Sequence, residues 1–336
     1  MSVDCALITA LPAEMGKLLF HFRHWNEVAS GKNIYFETFS PSGLTLVGAV
    51  CTGMGQLHAA AITTDLVAKY QPKTIVLVGI AAGLERKIGL GDVVISSSLV
   101  DYELGKVGPE GLDIRWSVYP IDQLLLNKAQ NYQGTLWKDY IRTPRPGGGD
   151  ATARPQSHIG IYLTGNKVIA DEKTAGALRS FWKKSVAIEM EAAGIAAMLR
   201  QLEQPPGFIV ILLCICDYAD AQKNDDWQAY AADAAASFAF SFVMDALTPQ
   251  DMVLPHRAKT SNSEGLWVTL AGIYDLSELK VLCYDLDIDW DEIAGQRKSE
   301  KIVELITYCK RHGQFPDLVA KINRDNDNVL NAYREQ

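Results

Sequence analysis

The chain has 336 residues, 48% of them hydrophobic and 21% charged, and a formal net charge of −8. That length suggests about two domains with a sizeable buried core. The acidic balance excludes a broad nucleic-acid-binding or anionic-membrane surface, because each would call for a basic patch. The N-terminal stretch has no basic segment and no cleavage site of the secretory kind. The longest strongly apolar run, Phe208–Cys216, is too short to cross a bilayer. Six cysteines at 5, 51, 214, 216, 283 and 309 show no CxxC or metal-ligand spacing, so reduced thiols in the cytoplasm and no bound metal are expected.

Taken in chain order, short apolar runs alternate with helical patterns. Val3–Ala10 reads as a strand and Pro12–Trp25 as a helix. Leu44–Val50 is β-rich, and Gly53 and Gly55 form a tight turn into a helix over Gln56–Tyr70. Thr74–Ile80 and Asp92–Ser98 read as strands, as do Ile159–Thr164 and Ser185–Ile188. Glu189–Leu202 reads as an Ala-rich helix, Phe208–Cys216 as a buried strand and Asp226–Leu247 as a long closing helix. Near-continuous apolar strands between helices imply a sheet covered on both faces, hence the α/β class. Arg142–His158, rich in Gly, Pro and Arg, reads as a surface loop. A polar, proline-containing stretch at 249–264 reads as a linker, dividing a first domain at 1–248 from a second at 265–336. In the second, Leu266–Ile273, Leu276–Leu286, Ser299–His312 and Phe315–Arg324 place apolar residues at helical spacing, as a small all-α domain does.

The chemistry-bearing segments lie at predicted strand ends. They are Leu7–Glu14, then Val78-Gly79-Ile80-Ala81-Ala82-Gly83-Leu84, then Glu189-Met190-Glu191-Ala192-Ala193, and finally Cys216-Asp217-Tyr218-Ala219-Asp220. Ligands of α/β sheets bind in crevices at strand ends, and small residues let a ligand approach the backbone. Three carboxylates there, Glu14, Glu191 and Asp217, suit cleavage of a glycosidic bond: one acid protonates the leaving group and one base activates water. Singly, each carboxylate is as well explained as a helix or turn cap, and Met190 as a core residue. His58 reads as structural. Arg142, Arg145 and Arg154 read as solvated loop residues. Asp285, Asp287 and Asp289 imitate the start of a calcium loop, but Trp290 replaces the required glycine and Gln296 the closing glutamate.

In this order and spacing the segments resemble the nucleoside phosphorylase and uridine phosphorylase superfamily, especially its methylthioadenosine/S-adenosylhomocysteine nucleosidases, over residues 3–247. The resemblance implies a three-layer domain with a central mixed sheet, a purine nucleoside or nucleotide substrate, and no cofactor. It implies that Glu14 aligns the attacking water, that Met190 and Glu191 hold the ribose, and that Asp217 protonates purine nitrogen 7 with Asp220 shaping its surroundings. Gly165-Asn166-Lys167-Val168-Ile169 resembles the family's base-binding loop, where backbone groups at Val168 and Ile169 would read the purine edge. Ile80, Ala81, Gly83 and Glu189 would complete the substrate site. Phosphorylases of the family hold phosphate with an arginine and a hydroxyl residue where this chain has Leu77 and Ile80, so water rather than phosphate is the implied nucleophile; a phosphate-using purine nucleoside phosphorylase and a catalytically inactive nucleoside-sensing adaptor are the alternative readings. Val168 stands where an aromatic residue often stacks on the base, and Cys216 where serine usually precedes the acid. Residues 266–325 resemble a bacterial effector-associated domain of death-like helical fold. That resemblance implies a protein partner, and an effector role in bacterial conflict or signalling. The acidic run from Asp285 to Glu292 is a candidate partner face. A homo-oligomer is also expected.

Overall fold

The computed structural model describes residues 2–22, 24–40, 43–109, 111–132, 134–147, 154–219, 225–247, 270, 274, 276–295 and 298–322. Asp220, the glycine-rich part of the long loop, the linker and most of the first expected C-terminal helix lie outside these residues. The chain divides into two compact units, Met1–Leu254 and Pro255–Gln336.

The first unit begins with strand β1 (Cys5–Thr9), helix α1 (Pro12–Phe22) and three strands, β2 (Asn26–Ser30), β3 (Asn33–Phe39) and β4 (Thr45–Val50). Helix α2 (Gln56–Tyr70) leads to β5 (Thr74–Gly83) and β6 (Val93–Asp101). Three short strands follow, β7 (Gly105–Gly108), β8 (Gly111–Ile114) and β9 (Ser117–Pro120), then helices α3 (Gln123–Gln130) and α4 (Trp137–Tyr140). The unit ends with β10 (Ser157–Thr164), α5 (Glu172–Phe181), β11 (Ser185–Glu189), α6 (Ala192–Leu199), β12 (Gly207–Asp217) and α7 (Gln228–Ala246).

The strands form one mixed sheet in the order β11-β10-β6-β12-β5-β1-β4-β3-β2, with β9 beside β6. β1 lies parallel to β4 and β5, and β12 parallel to β5 but antiparallel to β6. β11 pairs with β10 and also, through Ala187 and Ile188, with Gly83 and Ala82 at the far end of β5. That second pairing closes β5, β12, β6, β10 and β11 into a ring. It explains why β5 runs three residues past the expected end at Ile80. β1 is buried along its whole length, and Val76, Leu77, Val93, Val94 and Ile95 are buried in the same core, as strands covered on both faces require. Helix α7 supplies Ala231, Ala234, Ala235, Phe238 and Phe242 to that core.

Two local corrections bear on the site. The expected helix from Glu189 starts only at Ala192: Glu189 is the last residue of β11, and Glu191 is the cap residue of α6. The hairpin β2–β3 and helix α5 were not legible as elements; β2 is an edge strand with no buried residue.

The second unit has its own core. Helix α8 (Leu276–Asp285) contributes Leu279, Leu282 and Cys283, and helix α9 (Lys298–Arg311) contributes Ile302, Leu305 and Cys309. A helix over 315–322 adds Leu318 and Ile322. The acidic run is partly used inside this unit. Asp285 pairs with Lys321 at 2.9 Å, Asp289 accepts from the Asp291 N–H, and Glu292 accepts from the Tyr308 hydroxyl. Among the described residues no group of acidic, histidine or cysteine side chains is arranged to hold a metal ion, and no helix is long and apolar enough to cross a membrane.

Where α6 crosses α2, a Cβ on Gly194 would lie 2.0 Å from the carbonyl oxygen of Gln56. The obstacle is backbone, so the helices must part to admit a methyl group. Overpacking of this kind costs about 1–3 kcal/mol. Gly194→Ala is expected to lower the unfolding free energy by that amount, read as a lower urea midpoint of the full chain, and an unchanged midpoint would show that the crossing is not tight.

Candidate active site

Glu14 is set by the start of α1. Pro12 fits the first helical position, where no N–H is needed. Two residues later Glu14 turns back, and its Oε2 accepts from the Leu11 N–H at 2.8 Å, the return half of a capping box. Its Oε1 reaches across to β5 and accepts from the Ile80 N–H at 2.9 Å. A Cβ at residue 79 would stand 2.7 Å from that oxygen, so only glycine lets the carboxylate in. Glu14 is thus both the cap expected of an ordinary turn residue and a buried group aimed at the sheet. Burial pushes its carboxyl up to about 8, the charge of Glu191 adds to the rise, and the Leu11 and Ala10 backbone groups oppose it.

The end of β11 supplies two more carboxylates. Glu189 Oε2 accepts from the N–H groups of Glu191 and Ala192 at 2.7 and 2.8 Å, closing the first turn of α6. Glu191 Oε1 accepts from the Gly55 N–H at 2.8 Å, in the turn that opens α2. Both are pushed above the usual carboxylate range by burial, and Glu189 also by the charge of Glu191. At the end of β12, Asp217 is buried, and its Oδ1 accepts from the Ala219 N–H at 2.9 Å. The Cys216 sulfur lies 3.4 Å from Asp217 Oδ2 and 3.4 Å from the Ala81 carbonyl.

These groups converge on one cavity of about 240 Å³. Glu14, Ile80, Ala81, Val168, Ile169, Glu189, Met190, Glu191 and Asp217 all line it, as do Ala10, Leu11, Met54, Ala82, Lys167, Ile188, Cys216 and Gln228. Such a cavity, apolar in most of its wall with a few convergent polar groups, has the usual make-up of a small-molecule site. Gly83 does not line it. It pairs with Ala187 at the ring closure and faces a second hollow beside Arg86 and Arg179. Met54 and Gln228 were not legible as site residues, since nothing in their local sequence points to a ligand, whereas Lys167 lies in the segment that resembles the base-binding loop. Only the turn glycines before Met54 and α2 hinted at a feature there. Leu77, at the position of the phosphorylases' arginine, is 1% exposed and packed in the core. Two arginines of the long loop are engaged elsewhere: Arg145 lies over the Trp227 ring and donates to the Leu90 carbonyl, and Arg154 is paired with Asp139. His58 meets the Thr52 hydroxyl at 3.0 Å.

With this geometry in place, comparison with known proteins finds the family model of the phosphorylase superfamily matched over residues 4–247, and that of effector-associated domain 7 over residues 268–326. The chain is similar to a 5′-methylthioadenosine/S-adenosylhomocysteine nucleosidase of Bacillus cereus, 27% identical over 58% of this chain and 78% of the relative. A Mycobacterium bovis protein of the same name is 24% identical over 71% of this chain and 95% of its own length. Among solved structures, a 5′-methylthioadenosine/S-adenosylhomocysteine nucleosidase of Neisseria meningitidis in complex with methylthio-immucillin-A superposes with a TM-score of 0.58 at 21% identity, covering 72% of this chain and 98% of that one. A futalosine hydrolase of Helicobacter pylori gives the same score at 19% identity, with the same coverage. These structural likenesses support the mixed-sheet fold expected from the sequence.

The raised Glu14 has a thermodynamic signature. Its folded value of about 8 lies above the ordinary 4.5, so the folded state holds a proton that the unfolded state releases. Its contribution to stability is therefore full below about pH 4.5 and lost as pH rises through 8. Asp233 and Asp92, whose carboxyls are lowered, act only at acid pH, whereas the raised Glu189 and Glu191 share this window, so Glu14 accounts for part of the fall. Glu14→Gln, which cannot ionise, is expected to flatten the fall in melting temperature between pH 5 and 8.5. Parallel pH curves for the two proteins would place the Glu14 proton in the ordinary carboxylate range.

Proposed function

Because the chain belongs to the phosphorylase superfamily, we propose that it hydrolyses the N-glycosidic bond of a purine nucleoside or nucleotide and releases the free base. The observation that carries the proposal is the placing of Asp217, Glu14 and Glu191 on one cavity, each held by backbone N–H groups. Asp217 delivers a proton to nitrogen 7 of the purine. The bond from the anomeric carbon to nitrogen 9 breaks, and its electron pair leaves with the base. Water attacks the anomeric carbon, and Glu14 aligns it and takes its proton. Glu191, with Met190 beside it, holds the ribose hydroxyls as the ring becomes oxocarbenium-like. Ile80, Ala81 and Glu189 complete the wall around the sugar, and Val168 and Ile169 meet the base edge. Cationic character grows only as the bond breaks, so these acceptors favour the transition state over the substrate.

Water rather than phosphate is the nucleophile because Leu77 is a buried core residue and Ile80 offers no hydroxyl. The names of the similar nucleosidases and of the futalosine hydrolase agree with hydrolysis. The match to effector-associated domain 7 supports a second role: residues 265–336, joined through the linker at 249–264, recruit a protein partner in a bacterial conflict or signalling system. The remaining acidic side chains of the run, Asp287 and Asp291, are part of that face. Action as a homo-oligomer in the cytoplasm belongs to the same proposal.

The test is chromatography of a panel of purine nucleosides and nucleotides incubated with the full chain, with and without phosphate. Free purine and a ribose product are expected at equal rates in both conditions. Asp217→Asn is expected to lower kcat by about 10²–10⁴-fold, the usual worth of general acid catalysis. Obligatory phosphate with a ribose 1-phosphate product would overturn hydrolysis, and wild-type turnover in folded Asp217→Asn would overturn the assignment of the acid.

A further inference from the structure

The segment after β10 puts Val168 and Ile169 on the cavity although residues 165–170 belong to no helix or strand. Side chains from elsewhere hold it. Glu103, just beyond β6, accepts the Asn166 N–H at 2.8 Å and takes the Lys167 ammonium on both carboxylate oxygens at 2.6 Å. Lys167 also lies over the Tyr102 ring, 5.7 Å from its centre. Glu103 is itself fixed, since its N–H donates to Asp101 Oδ1 at 2.9 Å, and the same oxygen receives Gln56 Nε2 at 3.2 Å. From the other side, Asn166 Oδ1 accepts the Gln56 N–H at 2.9 Å. The neighbouring Gly55 N–H holds Glu191. Two successive N–H groups of one turn therefore anchor two different parts of the cavity: the carboxylate assigned to the ribose and the segment assigned to the base.

We propose that Glu103 and Asn166 are positioning residues for base recognition, fixing residues 165–169 against β6 and against the Gly55–Gln56 turn so that Val168 and Ile169 meet the purine. Neither is among the residues lining the cavity, so each acts through the backbone it holds. The Glu103 anchor is charge-assisted and bidentate toward one lysine, the stronger class of hydrogen bond. The Asn166 anchor satisfies the first N–H of α2, which would otherwise lack a partner. The inference rests on the assignment of the cavity to a purine.

The measurement is calorimetric binding of free adenine to the full chain, alongside KM and kcat for the best purine substrate found. Glu103→Gln keeps an acceptor for the Asn166 N–H but loses the charge that holds Lys167. Asn166→Leu removes the acceptor for Gln56, and Asn166→Asp restores one where the helix terminus favours negative charge. Glu103→Gln and Asn166→Leu are expected to weaken adenine binding and raise KM by about tenfold, with kcat within about twofold and the fold retained at the assay temperature. That pattern marks lost ground-state binding rather than lost chemistry. Asn166→Asp is expected to recover most of the affinity. Unchanged adenine affinity in folded Glu103→Gln and Asn166→Leu would overturn this inference while leaving hydrolysis standing. A fall in kcat at constant KM would also overturn it. Wild-type protein that binds no adenine and releases no purine would overturn both readings.

Discussion

Carboxylates buried against one cavity need partners, and here peptide N–H groups at the ends of strands and helices supply them. Glu14 takes two, from Leu11 and Ile80; Glu189 takes two, from Glu191 and Ala192; Glu191 takes one, from Gly55; and Asp217 takes one, from Ala219. An arginine or lysine in their place would settle each carboxylate as a permanent anion. Backbone dipoles fix the geometry yet leave desolvation dominant, so the three glutamates rise above the ordinary range. A site of raised, oriented carboxylates suits a reaction in which positive charge appears on a sugar and a proton must move on and off.

The rest of the first unit follows from presenting those N–H groups together. They come from the β1–α1 turn, from β5, from the turn before α2, from the β11–α6 turn and from the end of β12. Closing β5 onto β11 brings the β5 and β11 segments together, and the parallel pairing of β12 with β5 sets Asp217 opposite Ala82. Two glycines permit the approach. Gly79 leaves room for the Glu14 carboxylate, and Gly194 lets α6 lie on α2 so that Glu191 reaches Gly55. The cost is a core in which an added methyl group at either position is destabilising.

Much of this was legible in the sequence. Apolar strands between helices gave the class, and the ordered motifs placed Glu14, Met190, Glu191 and Asp217, which do line one cavity. What was lost has physical reasons. β2 lies at a sheet edge with no buried face, so it lacks the apolar signal of a core strand. The Ala-rich run after Glu191 drew the helix back to Glu189, because propensity does not see that β11 must pair with β10 and β5 before the chain turns. Gly83 looked like a ligand contact from its small size, whereas its smallness serves the β5–β11 closure beside Ile215 and Tyr218. Gln228 reaches the cavity only through tertiary folding, and the tie that holds Lys167 to Glu103 spans 64 positions of sequence. Asp220, assigned to the surroundings of Asp217, lies outside the described residues.

The dependence of kcat/KM on pH bears most directly on the central claim, since it reports the titration of free-enzyme groups that chemistry needs. If a desolvated Glu14 aligns and deprotonates the water, the rate should climb with pH along a limb governed by a value near 8. That limb should vanish in the residual activity of Glu14→Gln. A rate already at its plateau by pH 6, with the same profile in both proteins, would contradict a buried, backbone-held Glu14 as the group that activates water.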